Sequence, residues 1–389
     1  MSGPWVPSRA MRRLTTIVAA LVLACLVVAP ASGASVRAEF IGMFVSSPLM
    51  EETGTLDPES AAMAEAGVGS VRVVFDWRSA QPYRRMSDVP EAQRSRFRLE
   101  RGVPTDWSFI DRQVASAARN GIGVLPVVMI APVWSNTGWG WTRPKSATAY
   151  ARFVASLAGR FGPRGSFWTE HPEIPRMPLR DWQLWNEVDF RDYWADQPFE
   201  RRYTRFLRAA RIELRRVDPG ARIVLAGFAN FSWRMLERLY RSGARRYFDV
   251  AAIHPFTRQV EGVVEIVRRA RRVMRRHGDA RKPLMVTEAT WTSGPRGHQS
   301  TSVSTEEGQA QLVSGLFRTL AARRRALRIE RVYWLSWLST DRDGRDIFNW
   351  AGLSRVRPDN AVERKPGYWS FRETARHLRG CESSAPCGR

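Results

Sequence analysis

Lysine is nearly missing from this 389-residue sequence, which has Lys145, Lys282 and Lys365 and carries the rest of its positive charge on arginine. Cysteine occurs three times and histidine five times. With so few soft or imidazole ligands, no Cys/His cluster stands at zinc-ligand spacing, and neither a metal nor a cofactor is expected. No GxGxxG or Walker loop follows a strand-like run, which excludes the common dinucleotide and phosphate-binding cradles. No linker or low-complexity tract divides the chain, so one large domain is expected. Acids are also scarce, leaving a formal charge of +23. Such an excess can mark an anionic partner. The arginines are spread over helical faces, as in Arg268-Arg269 to Arg275-Arg276 and Arg323-Arg324-Arg325. They lack the aromatic interleaving of a single-strand binder, so no nucleic-acid partner is expected; an anionic polymer stays open.

What is present begins with a segment of a different kind. Arg9, Arg12 and Arg13 precede an apolar run from Leu14 to Ala29, followed by Ala31-Ser32-Gly33-Ala34. Basic, apolar and small-residue stretches in that order read as a secretory signal over residues 1–34, cleaved near Ala34. An uncleaved anchor and lipidation at Cys25 are the alternatives. The expected product is extracellular or cell-wall associated, monomeric, and without a stable membrane span. Cys381 and Cys387 flank a short loop in the tail 381–389, which suits a disulfide in an oxidising compartment.

Residues 35–380 alternate short apolar, β-branched runs with longer amphipathic ones. The strand-like runs are Glu39–Pro48, Ser70–Trp77, Gly123–Ala131, Asp181–Asp189, Arg222–Asn230, Asp249–Phe256, Pro283–Trp291 and Arg331–Ser339. The intervening helical runs are Pro58–Ala66, Trp107–Asn120, Ala147–Phe161, Glu200–Val217, Trp233–Ser242, Val260–His277, Thr305–Arg325 and Tyr368–Leu378. Eight βα units imply an α/β fold closed as a (β/α)8 TIM barrel, whose functional groups sit at the C-terminal ends of the strands. Longer connections at 78–105, 132–146, 292–304 and 340–365 would build that face.

Two acids stand where such a barrel places its chemistry. Glu187 closes the fourth strand in Trp182-Gln183-Leu184-Trp185-Asn186-Glu187, and Glu288 closes the seventh in Leu284-Met285-Val286-Thr287-Glu288. A carboxylate after an apolar strand is costly unless it faces a polar pocket. Paired carboxyls are what retaining glycosidic cleavage needs, one to protonate the leaving oxygen and one to attack the anomeric carbon.

With these motifs the chain resembles glycoside hydrolase clan A, which includes families 5 and 39. The resemblance implies Glu187 as general acid/base and Glu288 as nucleophile, the first kept protonated by proximity to the second. It implies a supporting cation at Arg72, a contact from Asn186 to the substrate 2-hydroxyl, and a residue orienting the nucleophile at His254. It also implies a sugar platform on strand 8, where Trp337 is favoured over Trp334. Trp134, Trp139, Trp141 and Trp291 are candidate subsites in the loops, and Asn136 a candidate partner for a sugar hydroxyl. Two positions depart from the common pattern. The stretch after strand 3 reads Ala131-Pro132-Val133-Trp134 without histidine, and Glu187 is followed by Val188-Asp189 rather than proline. A polysaccharide or oligosaccharide, β-linked, is the expected partner; the alternative is a catalytically silent barrel that only binds glycan.

Overall fold

In a computed structural model, the structure describes residues 3, 35–45, 55–138, 141–294, 302–342 and 346–381. Two units separate, Met1–Ser35 and Val36–Arg389. The signal-like run, Trp139 and Cys387 lie outside the described residues. Cys381 is disulfide-bonded, and the expected pairing with Cys387 also falls outside them.

The second unit is built on parallel strands β1 (Ile41–Val45), β2 (Ser70–Asp76), β3 (Gly123–Met129), β4 (Asp181–Leu184), β5, β6 (Ala251–His254), β7 (Leu284–Ala289) and β8 (Ile329–Leu335). Strand β5 comes in two pieces, Arg222–Val224 and Phe228–Ala229. The first piece pairs with β4 and the second with β6. A bridge from Val224 to Val250 joins the first piece to the start of β6 as well. With β1 paired to both β2 and β8, the ring closes into the expected barrel. Its strands are buried on both faces, the pattern of a parallel sheet covered by helices.

The covering helices are α1 (Leu56–Glu65), α2 (Ser108–Arg119), α3 (Ala147–Phe161), α4 (Glu200–Val217), α5 (Ser232–Arg241), α6 (Val260–Arg276), α7 (Glu306–Leu327) and α8 (Pro366–Arg379). Local chemistry sets several of their ends. The Ser146 hydroxyl accepts from Ala149 N at the start of α3, and the Thr305 hydroxyl accepts from Gly308 N at the start of α7. Proline sits in the first turn of α8 and left-handed Gly380 follows its end.

Sequence and structure differ mainly where strands stop. The fourth strand ends at Leu184 because Trp185 and Glu187 turn to positive φ (71° and 38°), swinging the acid off the ladder toward the barrel mouth. The fifth is interrupted at Leu225–Gly227, where Gly227 has φ +72°. The eighth ends at Leu335 rather than Ser339. Past it, Leu338–Ser339, Ser354–Val356 and Val362–Arg364 form a small separate sheet inside the long final connection. Residues 46–48 of the first expected strand lie outside the described residues.

Polar groups close the two ends of the barrel differently. At the N-terminal ends of β4, β5 and β8, Asp181 and Glu330 bind Arg222 at 2.6 Å each, and Arg331 reaches Asp181 at 2.7 Å. These charges compensate one another and leave no open site. The other end holds an arrangement that is only partly compensated.

Candidate active site

Arg72 points up the barrel axis from β2 and is almost fully buried. Its guanidinium fans out to three acceptors: Nη1 to Glu288 Oε1 at 2.6 Å, Nη2 to Asn186 Oδ1 at 2.8 Å, and Nε to Gln183 Oε1 at 2.6 Å. Phe44 of β1 lies under it, 4.7 Å from ring centroid to Cζ. This one cation therefore holds groups from β4 and β7 in register and neutralises one carboxylate oxygen of Glu288. Gln183 passes the order on by donating to Leu225 O in the break of β5.

His254 ends β6 with no exposure, and its Nδ1 lies 2.7 Å from Glu187 Oε1 and 3.7 Å from Glu288 Oε2. The expectation that it orients the nucleophile is corrected here, since its short contact is with the other acid. Burial pushes its pKa down to about 4, so the ring is neutral at pH 7. Its Nε2 has no polar partner and is packed against Gly227, where a Cβ would come within 2.2 Å. The ring proton belongs on Nδ1, the nitrogen with an acceptor, so the imidazole donates to Glu187 Oε1. A transferable proton on Glu187 then sits on Oε2.

Glu187 is pushed up to about 7, chiefly by burial, while Arg72 pulls the other way. The elevation expected from sequence is present, but its cause is desolvation rather than repulsion by Glu288. Two residues on, Asp189 is also raised to about 7, mainly by burial, and its Oδ1 has no partner. One ligand atom each of Glu187, His254 and Glu288 lie within 4.8 Å of one another. Such a trio could in principle hold a cation. Arg72 already occupies Glu288, and its charge opposes a metal there.

The two acids open into a cleft of about 900 Å³. Trp141, Phe190 and Tyr193 form one wall, with Trp141 half-exposed and edge-on to Tyr193 at 6.1 Å; Phe348 and Phe256 form another. The Tyr193 phenol is raised, first by burial and then by Glu187 and Glu288, and stays a neutral donor. Aromatic faces beside convergent polar groups suit a ring with apolar faces and hydroxyl edges. Sequence reasoning missed Phe190, Tyr193 and Phe348. The signal was there in Asp189-Phe190-Arg191-Asp192-Tyr193, an aromatic-rich loop immediately after Glu187.

The structure brings Arg72, Asn186, Glu187, His254 and Glu288 together, and leaves Trp337, Trp334, Trp134, Trp291 and Asn136 outside the cleft lining. Trp337 is fully buried beyond the end of β8, where its Nε1 donates to Glu59 Oε2 at 2.6 Å and its ring meets Tyr368. Trp334 is buried too, with its Nε1 donating to Ala351 O. The strand ends at Leu335, and the platform favoured at Trp337 is not there: neither indole lines the cleft, and Leu335 and Ser336 take that position. Trp134 donates to Gln81 O and packs on Trp77, and Trp291 donates to Arg258 O and packs near Trp334. Asn136 folds back with its Nδ2 3.5 Å from Ala131 O. These indoles and this amide fix loops; Trp141 alone among the described loop tryptophans reaches the cleft.

A closed (β/α)8 barrel with a carboxyl pair at the ends of β4 and β7 defines the class of architecture. No protein-family profile matches the sequence, and no curated protein matches it. Among solved structures, the chain is similar to a family 39 glycoside hydrolase from Bacteroides cellulosilyticus WH2, with a TM-score of 0.62 and 16% identity over 88% of this chain and 65% of that one. It is similar to a GH39 β-xylosidase from Caulobacter crescentus, with a TM-score of 0.59 and 18% identity over 87% and 72%. It is also similar to the exo-β-1,4-mannosidase Op5Man5 from Opitutaceae bacterium strain TAV5, with a TM-score of 0.60 and 16% identity over 90% and 62%. The chain thus spans about two thirds of the length of these neighbours. At such identity the likeness establishes the fold, that of glycoside hydrolase barrels.

Proposed function

We propose that the protein is a retaining glycoside hydrolase acting on a neutral glycan. The observation that carries the reading is the carboxyl pair itself: oxygens of Glu187 and Glu288 within 4.8 Å, one acid raised to about 7 and the other bound to a guanidinium. Retaining enzymes hold their carboxyls about 5–5.5 Å apart, whereas inverting ones leave about 6.5–9.5 Å for a water. In the first step the proton on Glu187 Oε2 passes to the leaving glycosidic oxygen. Glu288 attacks the anomeric carbon through Oε2, since Oε1 is engaged by Arg72, and the C–O bond to the leaving group breaks. In the second step ionised Glu187 takes a proton from water, whose oxygen displaces Glu288 from the sugar.

The neutral substrate follows from the lining. Among the described residues, the cleft cations are Arg72, fully used by its three acceptors, and Arg78, 3.9 Å from Asp76. Against them stand Asp76, Glu288 and Asp346, with Glu187 protonated, so a uronate would meet more negative than positive charge among the described residues. The net charge of the molecule is not directed at the substrate. Export of the protein belongs to the same proposal and is supported by the run Leu14–Ala29.

The test is turnover of a panel of neutral β-linked glycans and aryl glycosides by the full chain beside its Glu187→Gln and Glu288→Gln variants. Loss of turnover in both variants is the expected result. Binding without cleavage by the unsubstituted protein would replace the proposal with a carbohydrate-binding barrel.

A further inference from the structure

The cleft is not symmetrical about its two acids. The backbone N–H of Glu187 donates to Ala226 O in the break of β5, and its carboxyl is held by His254 of β6. The acid therefore stands over β5, and a leaving oxygen that takes its proton departs on that side. Past the second piece of β5 the cleft is lined by Asn230. The backbone N–H of Asn230 donates to His254 O at 2.9 Å, and the Ser232 hydroxyl closes the turn on Phe228 O at 2.6 Å. This turn holds Asn230 at φ 43°, a left-handed conformation that asparagine tolerates through local hydrogen bonds of its short polar side chain.

An asparagine kept for its turn alone commonly bonds the backbone two residues on. Here the side-chain amide makes no such bond: it is exposed and, among the described residues, has no hydrogen-bond partner. A second free polar group belongs to the same side. The Tyr193 hydroxyl, in the loop that follows Glu187, likewise has no partner among the described residues, and the charge of Glu187 acts on it more than that of Glu288. The half-exposed ring of Trp141 stands edge-on to Tyr193 at 6.1 Å. An aromatic face beside two neutral groups, each able to donate and to accept, matches a sugar ring with its hydroxyls. An aryl or alkyl group laid over them would strip their water and return no hydrogen bond.

We propose that Asn230 and Tyr193 bind hydroxyls of a sugar leaving group that stacks on Trp141, so that the protein selects bonds between two sugars over bonds from a sugar to a non-carbohydrate group. The inference rests on the glycosidase reading and deepens it. It also carries a second activity. Once Glu288 holds the glycosyl group, another sugar can fill the emptied subsite. Its hydroxyl gives a proton to Glu187, its oxygen bonds to the anomeric carbon, and the bond to Glu288 Oε2 breaks. The product is a longer glycan, and the same two groups set how often it forms in place of hydrolysis.

The experiment compares the full chain with Asn230→Gly, which keeps the left-handed turn, and Tyr193→Phe, which keeps the ring. The substrates are the nitrophenyl β-glycosides of glucose, mannose and xylose and the matching β-linked disaccharides. For the sugar that is cleaved, each variant's kcat/KM on the disaccharide should fall about tenfold relative to that on the nitrophenyl glycoside. The share of glycosyl groups passed from the nitrophenyl glycoside to added disaccharide, rather than to water, should fall by a similar factor. Thermal melting confirms that both variants fold. Equal losses on the two kinds of substrate, an unchanged share, or cleavage of nitrophenyl glycosides alone would overturn this inference and leave the glycosidase reading standing. No cleavage of either kind by the unsubstituted chain would overturn both.

Discussion

At the scale of single residues, the site depends on burial doing opposite things to neighbouring groups. Burial raises Glu187 and lowers His254, so that both are held neutral, while three acceptors surround the Arg72 guanidinium. The sequence made these residues legible, since Asn186, Glu187, His254 and Glu288 stand at or near strand ends and Arg72 is a lone charge inside the apolar run of β2. It could not say which acid His254 would touch, because that depends on the turn at Trp185 and Glu187. Two predictions belong here. The pKa of Glu187 is about 7 folded against 4.5 unfolded. A raised value adds stability below pH 4.5 that is lost as pH rises through 7, amounting to roughly 3 kcal/mol at most. Glu187→Gln should therefore gain melting temperature over the unsubstituted protein progressively from pH 5 to pH 8, and a difference that stays constant across that range would refute the assignment. In the active protein, kcat/KM should fall as pH rises past about 7, when the acid loses its proton. The second prediction concerns Gly227, whose φ of +72° and contact with His254 Nε2 leave no space for a Cβ. Gly227→Ala should lose about 1 kcal/mol or more and most activity, as thermal melts and aryl glycoside turnover will show.

At the scale of elements, loop function was the least legible part. Periodicity located the strands and helices to within a few residues because their burial repeats regularly. Nothing comparable marks which loop indole turns inward. Trp337 shows why: it serves a buried knot in which Glu59 takes two hydrogen bonds from Arg364 and a third from the indole. That knot ties α1 to the small sheet after β8 and so supports the loop carrying Phe348. Removing one partner of such a buried pair strands the other, and Glu59→Ala should cost about 3–5 kcal/mol in chemical denaturation. The wall at Trp141 and Tyr193 makes a different prediction. Trp141→Ala should raise KM for an oligosaccharide by about tenfold and leave stability within about 0.5 kcal/mol, since half of the ring is exposed. An unchanged KM on every substrate cleaved would remove this residue from the binding surface.

At the scale of the whole molecule, charge and chemistry are separated. Arginine runs such as Arg268-Arg269 and Arg323-Arg324-Arg325 lie on the outer helices α6 and α7, while among the described residues the cleft carries more acids than free cations. Turnover of a neutral glycan should accordingly be nearly flat from low to physiological salt, where exposed charges are screened over about 8–10 Å. A steep fall in kcat/KM with salt would point instead to a substrate attracted by the arginines. The central claim is that Glu288 attacks the sugar directly, with no room for a water between the two acids. Proton NMR of the first-formed product, recorded before the released sugar mutarotates, tests it most directly. The account predicts that the new hemiacetal keeps the anomeric configuration of the substrate; an inverted product would contradict it.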